Sequence, residues 1–350
     1  MDVSELLAFT VKNNASDLHI SSGEPPLIRI HDDMTRIKMP PLQAREVQAM
    51  LYDIMNDTQR KVFEEHLELD FSFSLGDIAR FRVNTFAQNR GMSAAFRVIP
   101  NEVFTIEQLK SPDIFKDISM TPRGICLVTG PTGSGKSTTL AAMVDHRNQN
   151  ERGHILTIED PIEFVHKSKG SLISQRELGP HTHSFSNALR SALREDPDVI
   201  LVGELRDLET IRLALTAAET GHMVFGTLHT SSAPKTIDRI IDVFPAAEKD
   251  MVRAMLSESL RAVISQTLIK TADGTGRVAA YEIMLGTPAI RNLIRENKVP
   301  QMVSVMQTSM REGMQTLDTH LQELVKGRKI TQQAALEVAN NKKLFGGGAV

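Results

Sequence analysis

One run of residues has the types and spacing needed to bind the phosphates of a nucleotide. Residues 130–137 read Gly-Pro-Thr-Gly-Ser-Gly-Lys-Ser, which is a complete phosphate-loop pattern. The glycines let backbone N–H groups curl around phosphate oxygens, Lys136 can reach the β- and γ-phosphates, and the Ser137 hydroxyl can hold Mg²⁺. We therefore expect a nucleotide–Mg²⁺ site formed by Gly130, Pro131, Thr132, Gly133, Ser134, Gly135, Lys136, Ser137 and Thr138.

The segments on either side of this loop have the character that it requires. Residues 125–129 read Ile-Cys-Leu-Val-Thr, which is typical of a buried parallel strand. Residues 138–147 are predicted to form a helix whose N-terminus faces the phosphates. The alternative is an ordinary glycine-rich turn, which the flanking strand and helix disfavour.

Two further apolar runs end in carboxylates. The run Asp-Val-Ile-Leu-Val-Gly-Glu ends at Glu204, which is our first candidate for the group that positions the attacking water. The run Ile-Leu-Thr-Ile-Glu-Asp-Pro-Ile-Glu ends at Glu163, our second candidate for polarising that water. A metal–phosphate centre nearby would relieve the repulsion within this run, so Glu159 and Asp160 are assigned to Mg²⁺ through water. The alternatives are a solvated glutamate in the first run and a capped loop in the second.

Two histidines lie at the ends of a third apolar run. His222 and His229 are seven residues apart and no cysteine accompanies them, a pattern that is poor for one zinc site. We interpret His229 as a γ-phosphate sensor at a strand end. The alternative is a structural, hydrogen-bonded histidine.

Arginines are the remaining candidates for phosphate chemistry. Arg80, Arg82 and Arg97 are predicted to share one face of an antiparallel meander. This face is either simply solvated or supplies arginine fingers, Arg97 and Arg82 first, to a neighbouring subunit. Two arginines one helical turn apart, facing either the strand-end glutamate or a neighbour, are further candidates: Arg190 and Arg194.

Bulk properties limit the class of protein. The chain has 350 residues, 41% of them hydrophobic, which indicates two or three domains with packed cores. Its net charge of −3 gives no global basic field for nucleic acid. The single cysteine, Cys126, excludes a disulfide framework and a four-cysteine zinc module. Acidic residues near the N-terminus and the lack of a long apolar run predict a cytoplasmic protein, with peripheral membrane attachment left open.

The hydrophobic pattern divides the chain into two parts. The first hundred residues are predicted to form a small α+β domain with helices at 3–12, 43–55 and 58–66, strands at 18–21 and 27–31, and a meander over 71–99. From Gly124 onwards, strands alternate with helices, which predicts a parallel sheet with strands at 125–129, 154–158, 199–202 and 223–227. After Lys249 we predict mostly helix. The predicted domain limits are 1–99, a linker over 100–122, 123–345, and a disordered tail over 346–350.

Taken together, these runs resemble the secretion-type ATPases of type II and type IV systems. The family's Walker A, Asp, Walker B and His boxes match residues 130–137, 158–163, 198–204 and 221–229. Ser16–His19 also match, and residues 289–296, Ala-Ile-Arg-Asn-Leu-Ile-Arg-Glu, are typical of the branch that retracts type IV pili. Relatives that extend pili or serve type II secretion are longer, and many carry a tetracysteine zinc module.

The resemblance implies a RecA-like α/β core preceded by a smaller PAS-like α+β domain. It further implies a homohexameric ring with ATP between subunits and Mg²⁺ as the metal. The motor would disassemble a pilus through an inner-membrane platform protein while attached peripherally to the cytoplasmic face of that membrane.

Two rival functions follow from the same residues. A nucleic-acid translocase or helicase shares the RecA-like core, but the net charge, the absence of tryptophan and an aromatic content of 5% argue against it. A nucleotide-gated scaffold with negligible turnover is disfavoured by the two well-placed glutamates.

The segment at residues 289–296 has its own interpretation. Ile290, Leu293 and Ile294 fall on one helical face, which predicts a core stripe. Arg291 and Arg295 lie on another face, where they are either solvated or anchor an acidic partner or a neighbouring subunit.

Overall fold

The computed structural model describes residues 2–30, 33–76, 78–99 and 102–346. Contacts divide the chain into two units, Met1–Glu102 with Glu163–Val165, and Val103–Ile162 with His166–Val350. The domain limits at residues 99 and 123 stay a prediction. Four parts of the sequence predictions lie outside the described residues: His31 in the second strand, Asp77 in a hairpin turn, Pro100 and Asn101 in the linker, and 347–350 in the tail.

The first unit is an α+β fold whose sheet has six antiparallel strands in the order β3-β2-β1-β6-β5-β4. Its elements are α1 Val3–Lys12, β1 Asp17–Ser21, β2 Leu27–Ile30, β3 Asp33–Arg36, α2 Ala44–Asp53, α3 Asp57–His66, β4 Glu68–Leu75, β5 Ala79–Gln88 and β6 Gly91–Ile99. The helices begin where capping side chains satisfy free backbone N–H groups. Asp2 accepts from the Ser4 N–H at 2.9 Å, and Asn56 accepts from the Gln59 N–H at 2.9 Å.

The predicted meander is confirmed as strands β4, β5 and β6. Phe81 and Val83 are buried, and the arginines that alternate with them lie on the opposite face of β5. The register places Arg82 directly opposite Arg97 of β6. The three arginines of the meander therefore share one face of this sheet, as predicted.

The second unit has a seven-stranded sheet in the order β13-β12-β7-β11-β10-β8-β9. Its strands are β7 Gly124–Thr129, β8 His154–Glu159, β9 Leu172–Glu177, β10 Val199–Val202, β11 Met223–Leu228, β12 Leu260–Lys270 and β13 Arg277–Leu285. Its α-helices are α4 Ile114–Ser119, α5 Lys136–Asn150, α6 Phe185–Ala192, α7 Leu208–Glu219, α8 Ala233–Asp242, α9 Lys249–Ser259, α10 Pro288–Arg295, α11 Met302–Thr308, α12 Leu317–Lys326 and α13 Gln332–Val338.

The four predicted core strands are confirmed as β7, β8, β10 and β11. They run parallel to one another, and β7, β10 and β11 are buried along their whole length. Helices cover the sheet, which explains the nearly continuous apolar character of these strands. Residues of the predicted linker also enter this core, since Ile106, Phe115 and Ile118 pack with Cys126 and Val128.

The prediction of mostly helix after Lys249 is wrong for the hairpin of β12 and β13. β12 pairs in parallel with β7 and in antiparallel with β13, so its middle is buried on both faces and has no alternation of apolar and polar residues. An apolar run of this kind cannot be assigned to a helix or a strand by periodicity alone. The edge strand β9, which is only partly buried, was not predicted either.

This topology decides where a ligand can bind. The parallel strands β7, β11, β10 and β8 all end at the same edge of the sheet. Ligands of open α/β sheets bind beyond the carboxyl ends of the strands. The phosphate loop follows β7, and Asp160, Glu204 and His229 follow β8, β10 and β11 at this edge.

Candidate nucleotide-binding site

The phosphate loop connects the buried strand β7 to the N-terminus of helix α5. The Gly130 N–H donates to the Leu228 carbonyl at 3.3 Å, which holds the start of the loop against β11. Lys136 is 8% exposed, and its Nζ donates to the carbonyls of Gly130 at 2.9 Å and Pro131 at 3.0 Å. The ammonium group therefore lies over the concave side of the loop.

The loop fits phosphate on three grounds. Gly135, the N-cap residue directly before α5, has φ +87°, a conformation that favours glycine. The N-terminus of the 15-residue helix α5 faces the loop, and such an end attracts anions. Ser134 Oγ is buried with no hydrogen-bond partner among the described residues. Ser137 and Thr138 are half-buried on the first turn of α5, where a hydroxyl can bind Mg²⁺.

Glu204 lies in a loop that is fixed on both sides by backbone hydrogen bonds. The Gly203 N–H donates to the Ile158 carbonyl of β8 at 2.8 Å, and the Leu205 N–H donates to the Thr227 carbonyl of β11 at 3.0 Å. Because β10 is separated from β7 by one strand, the end of β10 lies about 10 Å from the end of β7. The phosphate loop and the loop that carries Glu204 therefore leave the same edge of the sheet about 10 Å apart.

The carboxylate of Glu204 has two neighbouring side chains, an arginine and a histidine. Oε2 is 2.7 Å from Arg206 Nη2, and Oε1 is 3.4 Å from His229 Nε2. Burial by itself would raise the pKa of Glu204, but the hydrogen bond and charge of Arg206, together with His229, lower this pKa below its ordinary value. The carboxylate is therefore ionised at neutral pH and accepts hydrogen bonds.

The two histidines occupy different environments. His229 follows β11, is 44% exposed in its side chain and contacts Glu204. His222 precedes β11, and its Nδ1 is 3.0 Å from the Ala217 carbonyl. They lie at opposite ends of one strand, so only His229 joins the nucleotide edge.

The carboxylates after β8 divide between different partners. Glu159 Oε1 accepts from Thr157 Oγ1 at 2.6 Å and from Gln175 Nε2 at 3.2 Å. Asp160 is exposed, and its charge contributes to raising the pKa of Arg206, after the larger effect of Glu204. Glu163 groups with the first unit in the segment Glu163–Val165. The roles assigned to Glu159, Asp160 and Glu163 stay predictions.

The three arginines of the meander contact polar side chains of the same unit. Arg97 Nε is 2.9 Å from Asp17 Oδ1, and its side chain is 71% exposed. Arg82 Nε is 3.9 Å from Asp70 Oδ1, and Arg80 Nη2 donates to Ser72 Oγ at 2.9 Å. These contacts stabilise the sheet, while the exposure of Arg97 leaves its guanidinium accessible.

Arg190 and Arg194 do not face Glu204. Arg190 pairs with Glu209 at the start of α7, and Arg194 Nη1 donates to the Arg190 carbonyl at 3.3 Å. Of the two alternatives for these arginines, the one in which they face Glu204 is therefore wrong, because Arg190 on α6 is directed towards α7. Arg206, two residues after Glu204, supplies the charge at that place instead. A role of Arg190 and Arg194 towards a neighbouring subunit stays a prediction.

Residues 289–295 lie on helix α10, and Glu296 is its C-cap. Ile290 and Ile294 are fully buried in the core of the second unit, and Leu293 packs against it, so the predicted stripe is confirmed. Arg295 Nη1 is 3.1 Å from Glu258 Oε1 of α9. The second arginine of this segment therefore pairs with the neighbouring helix.

Sequence reasoning missed two residues of the site, Arg206 and Gln266. The sequence could have indicated Arg206, since this residue stands two positions after Glu204 in the same loop. No such pattern indicated Gln266, because it lies in the segment predicted as helical. Its side chain donates to the Ser134 carbonyl of the phosphate loop at 2.7 Å.

Known proteins match this chain along nearly its whole length. The family described as "Type II/IV secretion system protein" matches residues 2–336. The chain belongs to this family. The type IV pilus retraction ATPase PilT of Pseudomonas aeruginosa is 66% identical to this chain over 99% of the chain and 100% of the relative. A "Twitching motility protein" of Neisseria gonorrhoeae is 63% identical over 91% of this chain and 85% of the relative.

A solved structure of the same family confirms the fold. The crystal structure of the pilus retraction motor PilT with bound ADP superimposes with a TM-score of 0.92 at 46% identity, covering 98% of both chains. The ATPase DotB of Legionella pneumophila superimposes with a TM-score of 0.79 at 28% identity, covering 96% of this chain and 94% of that one. The predicted RecA-like core with a smaller N-terminal α+β domain is therefore confirmed. The chain is an ATPase of this family and binds a nucleotide.

Proposed function

We propose that this ATPase is a homohexameric motor that retracts a type IV pilus by disassembling it. The observation that carries the chemistry is the juxtaposition of the phosphate loop with the ionised Glu204 at the same edge of the sheet. The pilus is proposed from the relatives, because those 66% and 63% identical to this chain are named for pilus retraction and twitching motility.

The residues of the loop bind and orient ATP in this proposal. Backbone N–H groups between Gly130 and Lys136 enclose the phosphates, and the Lys136 ammonium moves from the loop carbonyls to the β- and γ-phosphate oxygens. Ser137 would hold Mg²⁺, which when bound neutralises charge on the same oxygens. Glu159 and Asp160 would support the metal through water.

Glu204 acts on the attacking water. Its lowered pKa favours a carboxylate that orients the water by accepting hydrogen bonds, rather than one that holds a proton at neutral pH. His229, 3.4 Å from the same carboxylate, would report the presence of the γ-phosphate. Glu163 is the second candidate for polarising the water.

Arg97 and Arg82 are proposed to act on the nucleotide of a neighbouring subunit. Transition-state charge on the γ-phosphoryl group is commonly stabilised by an arginine supplied from another chain. The exposed guanidinium of Arg97 supports this role. A homohexameric ring with ATP between its subunits would bring such arginines to every site.

The partner and the location complete the proposal. The motor would act on an inner-membrane platform protein from the cytoplasmic face of that membrane, as a peripheral component without a nucleic-acid partner. In the part of the chain that the structure describes, no helix has the length and apolar character needed to span a bilayer.

The test combines a site variant with two readouts. Glu204→Gln keeps the shape of the side chain but removes the carboxylate, so we expect ATP binding to persist while turnover falls by about a hundredfold or more. Phosphate release is measured on purified protein, and twitching motility is measured in cells that carry only the variant. Unchanged turnover would move the water-orienting role to Glu163. Normal twitching with turnover reduced to that extent would contradict the pilus function.

A further inference from the structure

The side chain of Gln266 connects strand β12 to the phosphate loop. It is 5% exposed. Its Nε2 donates to the Ser134 carbonyl at 2.7 Å, and its Oε1 accepts from Thr139 Oγ1 at 2.7 Å. Both ends of one buried amide are therefore engaged, one by the loop and the other by the first turns of helix α5.

Two glycines of the loop are in contact with this same residue. A Cβ atom at Gly130 would lie 2.2 Å from the Gln266 carbonyl oxygen, and a Cβ atom at Gly135 would lie 2.7 Å from Gln266 Nε2. A real Cβ atom essentially never lies this close to another heavy atom. The absence of side chains at these positions thus lets β12 approach the loop, in addition to letting the backbone approach phosphate.

The bond to Ser134 fixes the direction of a neighbouring N–H group. The Ser134 carbonyl and the Gly135 N–H belong to one planar trans peptide, in which the two groups point in opposite directions. When Gln266 holds the carbonyl towards β12, the Gly135 N–H points away from β12. In a phosphate loop, the backbone N–H groups of this stretch are the ones that bind phosphate oxygens.

We propose that Gln266 is a positioning residue for nucleotide binding, which orients the Ser134–Gly135 peptide so that its N–H faces the phosphates. Gln266 acts through this peptide and does not touch the nucleotide. An amide suits the position because one side chain must donate to a carbonyl and accept from a hydroxyl at the same time. The inference rests on the proposed assignment of residues 130–138 as the nucleotide site.

The test measures ADP binding, so that it does not depend on turnover. Gln266→Met has a similar length but neither hydrogen-bonding group, and it leaves the Ser134 carbonyl free to turn. We expect the dissociation constant for ADP, measured by calorimetry on the folded full-length protein, to rise about tenfold or more. For ATP, KM should rise by a similar factor while kcat changes less than about threefold.

Two further variants separate the two bonds of the amide. Gln266→Glu keeps an acceptor for Thr139 but places a carboxylate oxygen against the Ser134 carbonyl, so we expect a loss of ADP affinity at least as large as that of Gln266→Met. Thr139→Val removes the bond between Gln266 and the helix, together with the hydrogen bond of Thr139 with Tyr281, but leaves the bond to Ser134 in place, so it should change the dissociation constant by less than about threefold. Gln266→Glu also keeps the proposal testable if Gln266→Met does not fold.

The matched control is Gln315→Met, which removes a glutamine side chain that bonds a backbone carbonyl of the same sheet away from the phosphate loop. Gln315 Nε2 donates to the Tyr281 carbonyl of β13 at 3.1 Å, and β13 flanks β12 on the side away from β7. Gln315→Met should lower the melting temperature without changing ADP affinity. A folded Gln266→Met or Gln266→Glu protein whose dissociation constant stays within twofold of the wild type would overturn the proposal. Equal losses in Thr139→Val and Gln266→Met would overturn it as well.

ADP binding by Lys136→Ala tests the assignment of the nucleotide site separately from the role of Gln266. Lys136→Ala should lose ADP affinity whether or not Gln266 orients the loop. If Lys136→Ala binds ADP as tightly as the wild type, the assignment of residues 130–138 is wrong. If Lys136→Ala loses binding but Gln266→Met does not, only the role of Gln266 is wrong.

Discussion

The Arg97→Ala variant distinguishes a structural role of Arg97 from a catalytic one, because the two roles predict losses of different size in folding stability and in turnover. In the first unit, Arg97 bonds Asp17 at 2.9 Å, and the exposed fractions of the two side chains are 71% and 8%. A pair that is mostly open to solvent on one side is screened, so we expect Arg97→Ala to lower the free energy of unfolding by about 1 kcal/mol. An arginine that stabilises the transition state of phosphoryl transfer contributes a factor of about 10³ or more, equivalent to about 4 kcal/mol.

The assay compares these two quantities in the same protein. Denaturant unfolding gives the loss of stability, and steady-state phosphate release gives the loss of turnover. Arg90→Ala is the matched control, because Arg90 Nη1 bonds Glu24 Oε1 at 3.0 Å in the same unit. We expect the two variants to be similarly destabilised, with a large loss of turnover only in Arg97→Ala.

Mixed rings test whether Arg97 acts on another subunit. Lys136→Ala subunits retain Arg97 but lack a working phosphate loop, whereas Arg97→Ala subunits retain the loop. Mixing them should restore part of the activity if the arginine is supplied in trans. Mixed rings that show only the summed activity of the two separate proteins would refute this reasoning, as would an Arg97→Ala protein with normal turnover.

Three further predictions concern the second unit. Lys136→Ala should leave the fold intact but weaken ATP binding and abolish hydrolysis, and normal phosphate release from the folded variant would exclude Lys136 from catalysis. Arg206→Gln should raise the pKa of Glu204, because the hydrogen bond and charge that lower it are lost. The acid limb of the kcat–pH profile should then move to higher pH. An unmoved limb would contradict the pairing of Arg206 with Glu204. Arg291→Ala combined with Arg295→Ala should leave basal hydrolysis largely intact and impair twitching. If both fall together, the segment serves the catalytic ring, and if neither falls, the two arginines anchor no partner.

Local patterns were sufficient for much of the fold and of the site. The phosphate loop over residues 130–137, the strand before it and the helix after it are encoded within 30 consecutive residues. Helix α1 was predicted at its observed bounds from its apolar stripe. The meander was also predicted from a local pattern, because alternating apolar residues and arginines define the two faces of a strand.

The sequence by itself thus determined which residues could do chemistry and which local elements carry them. The tertiary structure decided the contacts between them. Gln266 and Ser134 are 132 residues apart, and Arg97 and Asp17 are 80 residues apart, so no local spacing indicates either contact. The strand β12 illustrates the physical reason: it is buried on both faces, its sequence is compatible with a helix or a strand, and only its pairing with β7 and β13 determines that it is a strand.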